Sequence, residues 1–388
     1  MANPIGIYIH IPFCKSKCDY CDFYSLAGQE EQMDRYQRAL LTHLRQFAPQ
    51  LKKRVADTIY FGGGTPSYYG ERRLREILSL LQRLCTVSRQ AEITVECNPD
   101  SVDWRSMARL RRAGVNRISL GAQSADEQQL RCIHRIHSPR QVVQAVTDIR
   151  KAKIENLSLD LILGLPGQTM ASWEDTLRKA LSLNPDHISC YGLKVEPGTK
   201  LYEYRSCANL PDDDAQADMY FYAVETLEQF GYHQYEISNF AKDGYICRHN
   251  MKYWTGDEYL SFGPCAASDF AGKRFTIAPD IEKYMEGVLN KGAILSECET
   301  VPMRERAGEY LMLRLRTVDG VEEGEYTKSF LLPFEPLEEV FQKLSKQDLC
   351  KNVSGRWRLT PKGFMLSNSI IVLLLEQQQK SKPLAQKK

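Results

Sequence analysis

Residues 6–25 read GIYIHIPFCKSKCDYCDFYS. An alternating apolar stretch with strand character runs into three cysteines, Cys14, Cys18 and Cys21, spaced C-x3-C-x2-C. Thiolates are the ligands an iron–sulfur cube needs, and three of them leave one iron without a protein ligand, free to take a small molecule. Two blander readings compete. A structural zinc ion wants four closed ligands, and the local fourth candidate is His10, which lies on the strand before the loop. A disulfide framework suits a short secreted chain, whereas here 12 cysteines are otherwise scattered singly. The aromatics Tyr8, Phe13, Tyr20 and Phe23 read either as core or as the dry wall of a cluster pocket.

Composition limits the rest. With 388 residues, 43% hydrophobic and 26% charged, the chain has enough material for one large domain and a smaller one. A net charge of +2 gives no reason to expect nucleic acid. The longest aliphatic run, at 370–375, is far short of the roughly 18 residues of a membrane span. The N-terminus, MANPIGIYIHIP, enters the first strand at once and leaves no room for a leader, so a cytoplasmic location is expected.

Outward from the cysteines the pattern repeats as strand, special loop, helix. A helix over 30–47 leads to a strand at 57–61 that ends in GGGTPS (62–67). A helix over 71–85 precedes strand 92–96, closed by Cys97-Asn98-Pro99. Helix 101–113 precedes strand 117–120, closed by GAQS. Helices over 126–132 and 139–152 precede strand 157–163, closed by GLPG, and helix 172–183 precedes strand 187–193. Six strands with helical crossovers predict a parallel sheet curled into a full or partial barrel. In such barrels the reactive groups sit on loops at the carboxyl ends of the strands, where every unusual loop of this chain falls. Consecutive glycines let backbone amides approach a ligand closely.

The stretches YIHIPFCKSKCDYCDF, YFGGGTPS, TVECNP, GAQS, DLILGLPGQT and YGLKVEPGT closely resemble, in order and spacing, the radical S-adenosylmethionine (SAM) branch that contains the oxygen-independent coproporphyrinogen III oxidases and the HemW heme chaperones. The resemblance covers nearly the whole chain and implies a radical SAM partial (β/α)6 TIM-like barrel. It implies Cys14, Cys18 and Cys21 as ligands of a [4Fe–4S] cluster, with SAM on the open iron. Tyr8, Gly63 and Glu96 fall where that family contacts SAM, and Tyr20, Gly64, Thr65, Gln123, Arg135 and Asp160 match further SAM contacts. At Arg135 the chain departs from the family's usual Gly-Arg pair by placing His134 before it.

Past residue 200, an acidic cluster at 212–214 starts a helix to about residue 230, as carboxylates at a helix start should. His249-Asn250-Met251-Lys252-Tyr253-Trp254 resembles the heme-binding stretch of the chaperones, so His249, Tyr253 and Trp254 are the implied heme contacts. Ala267 stands where that group commonly has histidine. From residue 304 the chain turns helical, with a short WRLT strand, resembling the small winged-helix-like C-terminal domain of the family. The expected division is a barrel core over 1–230, a linker with the heme-binding segment over 231–300, the C-terminal domain over 301–376 and a disordered tail over 377–388. The oxidases carry a cysteine two residues after the third cluster ligand, and here that residue is Phe23. The resemblance therefore implies a heme chaperone, the alternative being the oxidase or another radical SAM enzyme. Implied partners are heme, heme-acceptor proteins and an electron donor such as a flavodoxin or ferredoxin, with a homodimer left open.

Overall fold

The computed structural model describes residues 4–382. Seven parallel strands form the middle of one twelve-stranded sheet: β1 (Pro4–Ile11), β2 (Val55–Gly63), β3 (Thr86–Cys97), β4 (Arg117–Gln123), β5 (Asn156–Leu163), β6 (His187–Gly192) and β7 (Tyr259–Phe262). Their order in space is β7-β1-β2-β3-β4-β5-β6. The sheet curls without closing, as a partial barrel. Its first six strands are those the sequence pattern predicts.

Strand alternation gives the barrel an apolar outside and a polar inside. On β1, Ile5, Ile7, Ile9 and Ile11 are fully buried under the surrounding helices, while Gly6, Tyr8 and His10 take the opposite, inner face. The helices are set by their starts. Ser138 and Gln141 form a capping box at helix Pro139–Lys151, Thr169 and Ser172 do the same at Met170–Ser182, and Asp103 caps Trp104–Ala113 through the amides of Arg105 and Ser106.

Three expectations need correction. The stretch 231–300 is no linker: Asn239–Ala241 pairs antiparallel with β6, β7 pairs parallel with β1, and Ala267–Phe270, Lys273–Ile277 and Leu295–Glu299 continue the sheet beyond β7. The seventh parallel strand follows helix Arg248–Thr255, and its four residues, YLSF, are too short to show a period. The expected tail over 377–388 overlaps a helix. Helix Ser367–Lys380 carries on past 377 because Gln378 is buried and exchanges hydrogen bonds with Arg304; residues 383–388 lie outside the described part.

The segment from Met303 onward builds its own layer. Helices Met303–Arg314, Glu323–Phe330, Glu335–Ser345 and Ser367–Lys380 pack with a three-stranded antiparallel sheet of Val321–Glu322, Arg356–Leu359 and Cys350–Val353. None of these strands joins the barrel sheet, although Thr317 makes an isolated bridge to Glu236. Arg274 and Arg306 meet Asp269 and Glu309 in an ion-pair cluster where this layer touches the sheet. Among the described residues no helix is long and apolar enough to cross a membrane.

Candidate functional site

The carboxyl end of the barrel gathers the cysteine loop and the glycine loop. Thr65 donates a hydrogen bond to the Cys14 sulfur at 3.4 Å, and Arg135 Nη1 donates to the Cys18 sulfur, also at 3.4 Å. Arg135 Nη2 reaches the Gly121 carbonyl at 2.7 Å and Asn98 Oδ1 at 3.0 Å, and Asn98 Nδ2 closes the arc to Thr65 at 3.3 Å. The Cys21 amide bonds the Cys18 carbonyl at 3.1 Å. Donors aimed at sulfur favour the thiolate, the form that binds metal. Burial acts in the opposite direction and pushes the Cys14 and Cys21 thiols up.

The donor set suits a cube better than a single ion. Among the described residues no group of three or more His, Cys, Asp or Glu is arranged around one metal position. In a cube held by three thiolates each binds a different iron, so the sulfurs need not converge on one point. His10, the candidate fourth zinc ligand, is occupied elsewhere: its Nε2 bonds the Tyr24 carbonyl at 2.9 Å and its Nδ1 the Tyr8 hydroxyl at 3.2 Å. No cysteine is in a disulfide among the described residues.

The cysteine loop is clamped by Asp19, whose carboxylate is 2% exposed. Its Oδ2 meets His134 Nδ1 at 2.7 Å and accepts from Tyr204 at 2.7 Å. His134 adopts φ +54°, a left-handed conformation that glycine takes without strain. The family's glycine at this position thus has a backbone reason, and histidine here exchanges that ease for a bond to the loop.

Around this rim stand the other expected contacts. Glu96, at the end of β3, accepts from the Tyr60 hydroxyl at 2.8 Å and the Gly63 amide at 3.1 Å; burial, more than the nearby Asp160, raises its pKa to about 7. Asp160 accepts from Ser119, Ser158 and Ser189, between 2.8 and 3.1 Å. A Cβ on Gly121 would lie 2.6 Å from Arg135 Nη2 and 2.8 Å from Gln123 Nε2, so this glycine is what lets both side chains fold over the rim. Tyr20 packs with Ile133, Ile162 and Leu165 beside the cysteine loop. Asn98, Gly121 and Tyr60 were not singled out from the sequence. Tyr60 alternates with Thr58 and Gly62 on the inner face, but what marks it is its bond to Glu96, a tertiary contact.

The expected heme contacts lie elsewhere. Helix Arg248–Thr255 closes the amino end of the barrel, its first amides donating to Glu92: Arg248 N to Oε2 at 3.1 Å and His249 N to Oε1 at 3.0 Å. Glu92 precedes Glu96 by four strand residues, about 13 Å. His249 is 1% exposed. Its Nδ1 bonds Thr58 Oγ1 at 2.8 Å and its Nε2 the Tyr253 hydroxyl at 2.9 Å. Burial drives its pKa down to about 3, so the imidazole is neutral, the form that ligates iron. In this conformation neither ring nitrogen is open. Tyr253 and Trp254 are partly exposed on the same helix.

Comparison with known proteins agrees with this architecture. Residues 8–180 match the radical SAM superfamily, and residues 301–366 the HemN C-terminal domain. A solved structure of coproporphyrinogen III oxidase (HemN) from Escherichia coli superimposes with a TM-score of 0.85, covering 96% of this chain and 90% of that one at 23% identity, which establishes the shared fold. The fold and the cysteine loop thus define a radical SAM protein with a HemN-type C-terminal domain, and membership implies a [4Fe–4S] cluster and SAM. Sequence narrows it further. Curated proteins named heme chaperone HemW are 34% identical in Bacillus subtilis, over 94% of this chain and 97% of the relative, and 33% identical in Escherichia coli, over 96% and 99%. The chain belongs to the HemW family.

Proposed function

We propose that this protein is a heme chaperone: it binds heme and hands it to acceptor proteins, and it carries one [4Fe–4S] cluster on Cys14, Cys18 and Cys21 with exchangeable SAM on the fourth iron. The observation that carries the reading is the near-full-length similarity to proteins named HemW, against a likeness to the oxidase that extends to the fold. Phe23, 64% exposed beside the cysteine loop, supports it, since the oxidases have a cysteine there.

The cluster, when bound, supplies an open iron and an electron path. The chain's own residues do the rest. Thr65 and Arg135 donate hydrogen bonds to the Cys14 and Cys18 sulfurs, while the Gly63 and Gly64 backbone and Glu96 offer SAM a close-approach surface and an acceptor, with Tyr8, Tyr20, Gln123, Arg135 and Asp160 completing the wall. At the floor, His249 supplies a neutral imidazole, and Tyr253 and Trp254 aromatic surface for a macrocycle. Heme ligation requires one ring nitrogen of His249 to give up its bond, to Thr58 or to Tyr253, and because the ring is 1% exposed uptake includes a local opening of helix Arg248–Thr255. An electron donor such as a flavodoxin or ferredoxin, heme acceptors and a homodimer belong to the same proposal, as does a domain boundary near residue 300.

The test is anaerobic. Reconstituted protein is expected to take up one heme per chain, to lose that capacity in His249→Ala, and to form no protoporphyrinogen from coproporphyrinogen III, SAM and a reductant. Multiple-turnover decarboxylation would falsify the chaperone reading.

A pH dependence follows from Glu96. SAM is a cation and is attracted by the ionised carboxylate. With the carboxyl raised to about 7 in the free protein, Glu96 is mostly neutral below that pH and charged above it. SAM affinity, measured by equilibrium dialysis, is expected to climb as pH rises through 7 and then level off, and Glu96→Gln is expected to remove the climb. A flat profile in the unmodified protein contradicts this role for Glu96.

A further inference from the structure

The two ends of the barrel are joined through its interior by a short run of aromatic rings. The His249 ring lies against Tyr60 at 5.1 Å between centroids and 24° between planes, and against Tyr8 at 6.3 Å and 25°; the two tyrosines stack on each other at 6.1 Å. From this triangle two routes lead upward. Tyr60 donates to Glu96, which accepts from the Gly63 amide. Tyr8 bonds His10, whose other nitrogen holds the Tyr24 carbonyl just past Cys21. Space around the triangle is tight. A Cβ on Gly6 would lie 3.4 Å from His249 Cε1 and 3.1 Å from Thr58 Oγ1, and one on Gly63 would lie 2.6 Å from the His10 ring.

We propose that Tyr60 is a positioning residue that couples the two ends: SAM at the Gly63–Glu96 rim holds His249 in its closed seat and so opposes heme uptake, and heme uptake correspondingly weakens SAM. This deepens the heme-chaperone reading and rests on it. A ligand packed against Glu96 and Gly63 immobilises the carboxylate to which Tyr60 donates. Tyr60 is 8% exposed and can shift only if that bond loosens. Withdrawing His249 leaves a ring-sized gap beside Tyr60 and Tyr8, which close-packed interiors fill by moving their neighbours. Anything that fixes Tyr60 therefore raises the cost of releasing His249, and coupling of this kind is reciprocal.

The experiment measures heme affinity of the cluster-loaded protein with and without saturating SAM, and SAM affinity by equilibrium dialysis. In the unmodified protein SAM is expected to weaken heme binding by about fivefold or more, the lower end of ordinary coupling. In Tyr60→Phe, which keeps the ring and removes only the hydroxyl, heme binding is expected to persist with the SAM effect gone. A heme affinity that SAM leaves unchanged or strengthens overturns the proposal while the chaperone reading stands. If no heme is taken up at all, the chaperone reading fails, and the SAM arm still decides the linkage: SAM is expected to bind His249→Ala about fivefold or more weakly than the unmodified protein, and equal affinity in a variant with unchanged cluster content and circular dichroism overturns it.

Discussion

Alanine at any one of Cys14, Cys18 or Cys21 is expected to leave the protein without a stable [4Fe–4S] cluster, whereas replacing the other nine cysteines singly leaves it in place. The three thiols share one loop, and two of their sulfurs already receive hydrogen bonds from Thr65 and Arg135. Loss of one thiolate strips an iron of its ligand and exposes it to solvent, with no replacement nearby: His10 is held by Tyr8 and Tyr24, and His134 by Asp19. The remaining cysteines play other parts. Cys85, Cys97, Cys190, Cys247 and Cys350 are buried and behave as small apolar side chains, while Cys132, Cys207, Cys265 and Cys298 are exposed. Iron and sulfide content, with the electron paramagnetic resonance signal of the reduced protein, reads the outcome. A cubane signal that survives in the triple variant sinks the assignment.

The barrel was legible because its strands announce themselves twice. Outward positions such as Ile5, Ile7 and Ile9 carry the period-two apolar signal, and the strands end in glycine- or cysteine-bearing loops that are ordinary one by one and telling because all of them fall on one rim. The cysteine loop needed only its spacing. The floor was harder to read. His249, Tyr253 and Trp254 came from resemblance to a motif, and the residues alone give no sign that the histidine would sit inside the sheet, bonded to Thr58 almost two hundred positions earlier. Such contacts depend on how the strands are ordered in space. β7 escaped notice for a related reason: a four-residue strand gains its stability from pairing along β1, which local propensity cannot register. Tyr60 and Asn98 were passed over because tyrosine on a strand and asparagine before proline have ordinary structural explanations. Their bonds to Glu96 and Arg135 distinguish them, and those are tertiary facts.

Gly64→Ala is the conservative change with the largest expected effect on the cluster site. Its backbone is not what forbids a side chain, since Gly64 is absent from the residues with positive φ. The obstacle is space. A Cβ would fall 2.8 Å from the Phe13 carbonyl oxygen, 3.0 Å from the Ile11 carbonyl oxygen and 3.0 Å from the Cys14 sulfur. Two of these three are main chain at and just beyond the end of β1, and that main chain is itself fixed: the Gly64 amide donates to the Ile11 carbonyl at 2.8 Å and the Thr65 amide to the Phe13 carbonyl at 2.8 Å. A methyl group must therefore break the clip between the glycine loop and the cysteine loop or push the Cys14 sulfur off its position, and overpacking of this kind costs about 1–3 kcal/mol. The barrel is expected to fold, because its core lies on the far side of the strands, while cluster content after reconstitution falls and SAM affinity falls with it. Gly292→Ala, where φ is not positive and the added carbon meets nothing nearer than Gly287 Cα at 3.5 Å, separates this effect from a general intolerance of glycine replacement. If Gly64→Ala takes up a full cluster and binds SAM as tightly as the unmodified protein, the close approach of the two loops is not what sets the cluster site.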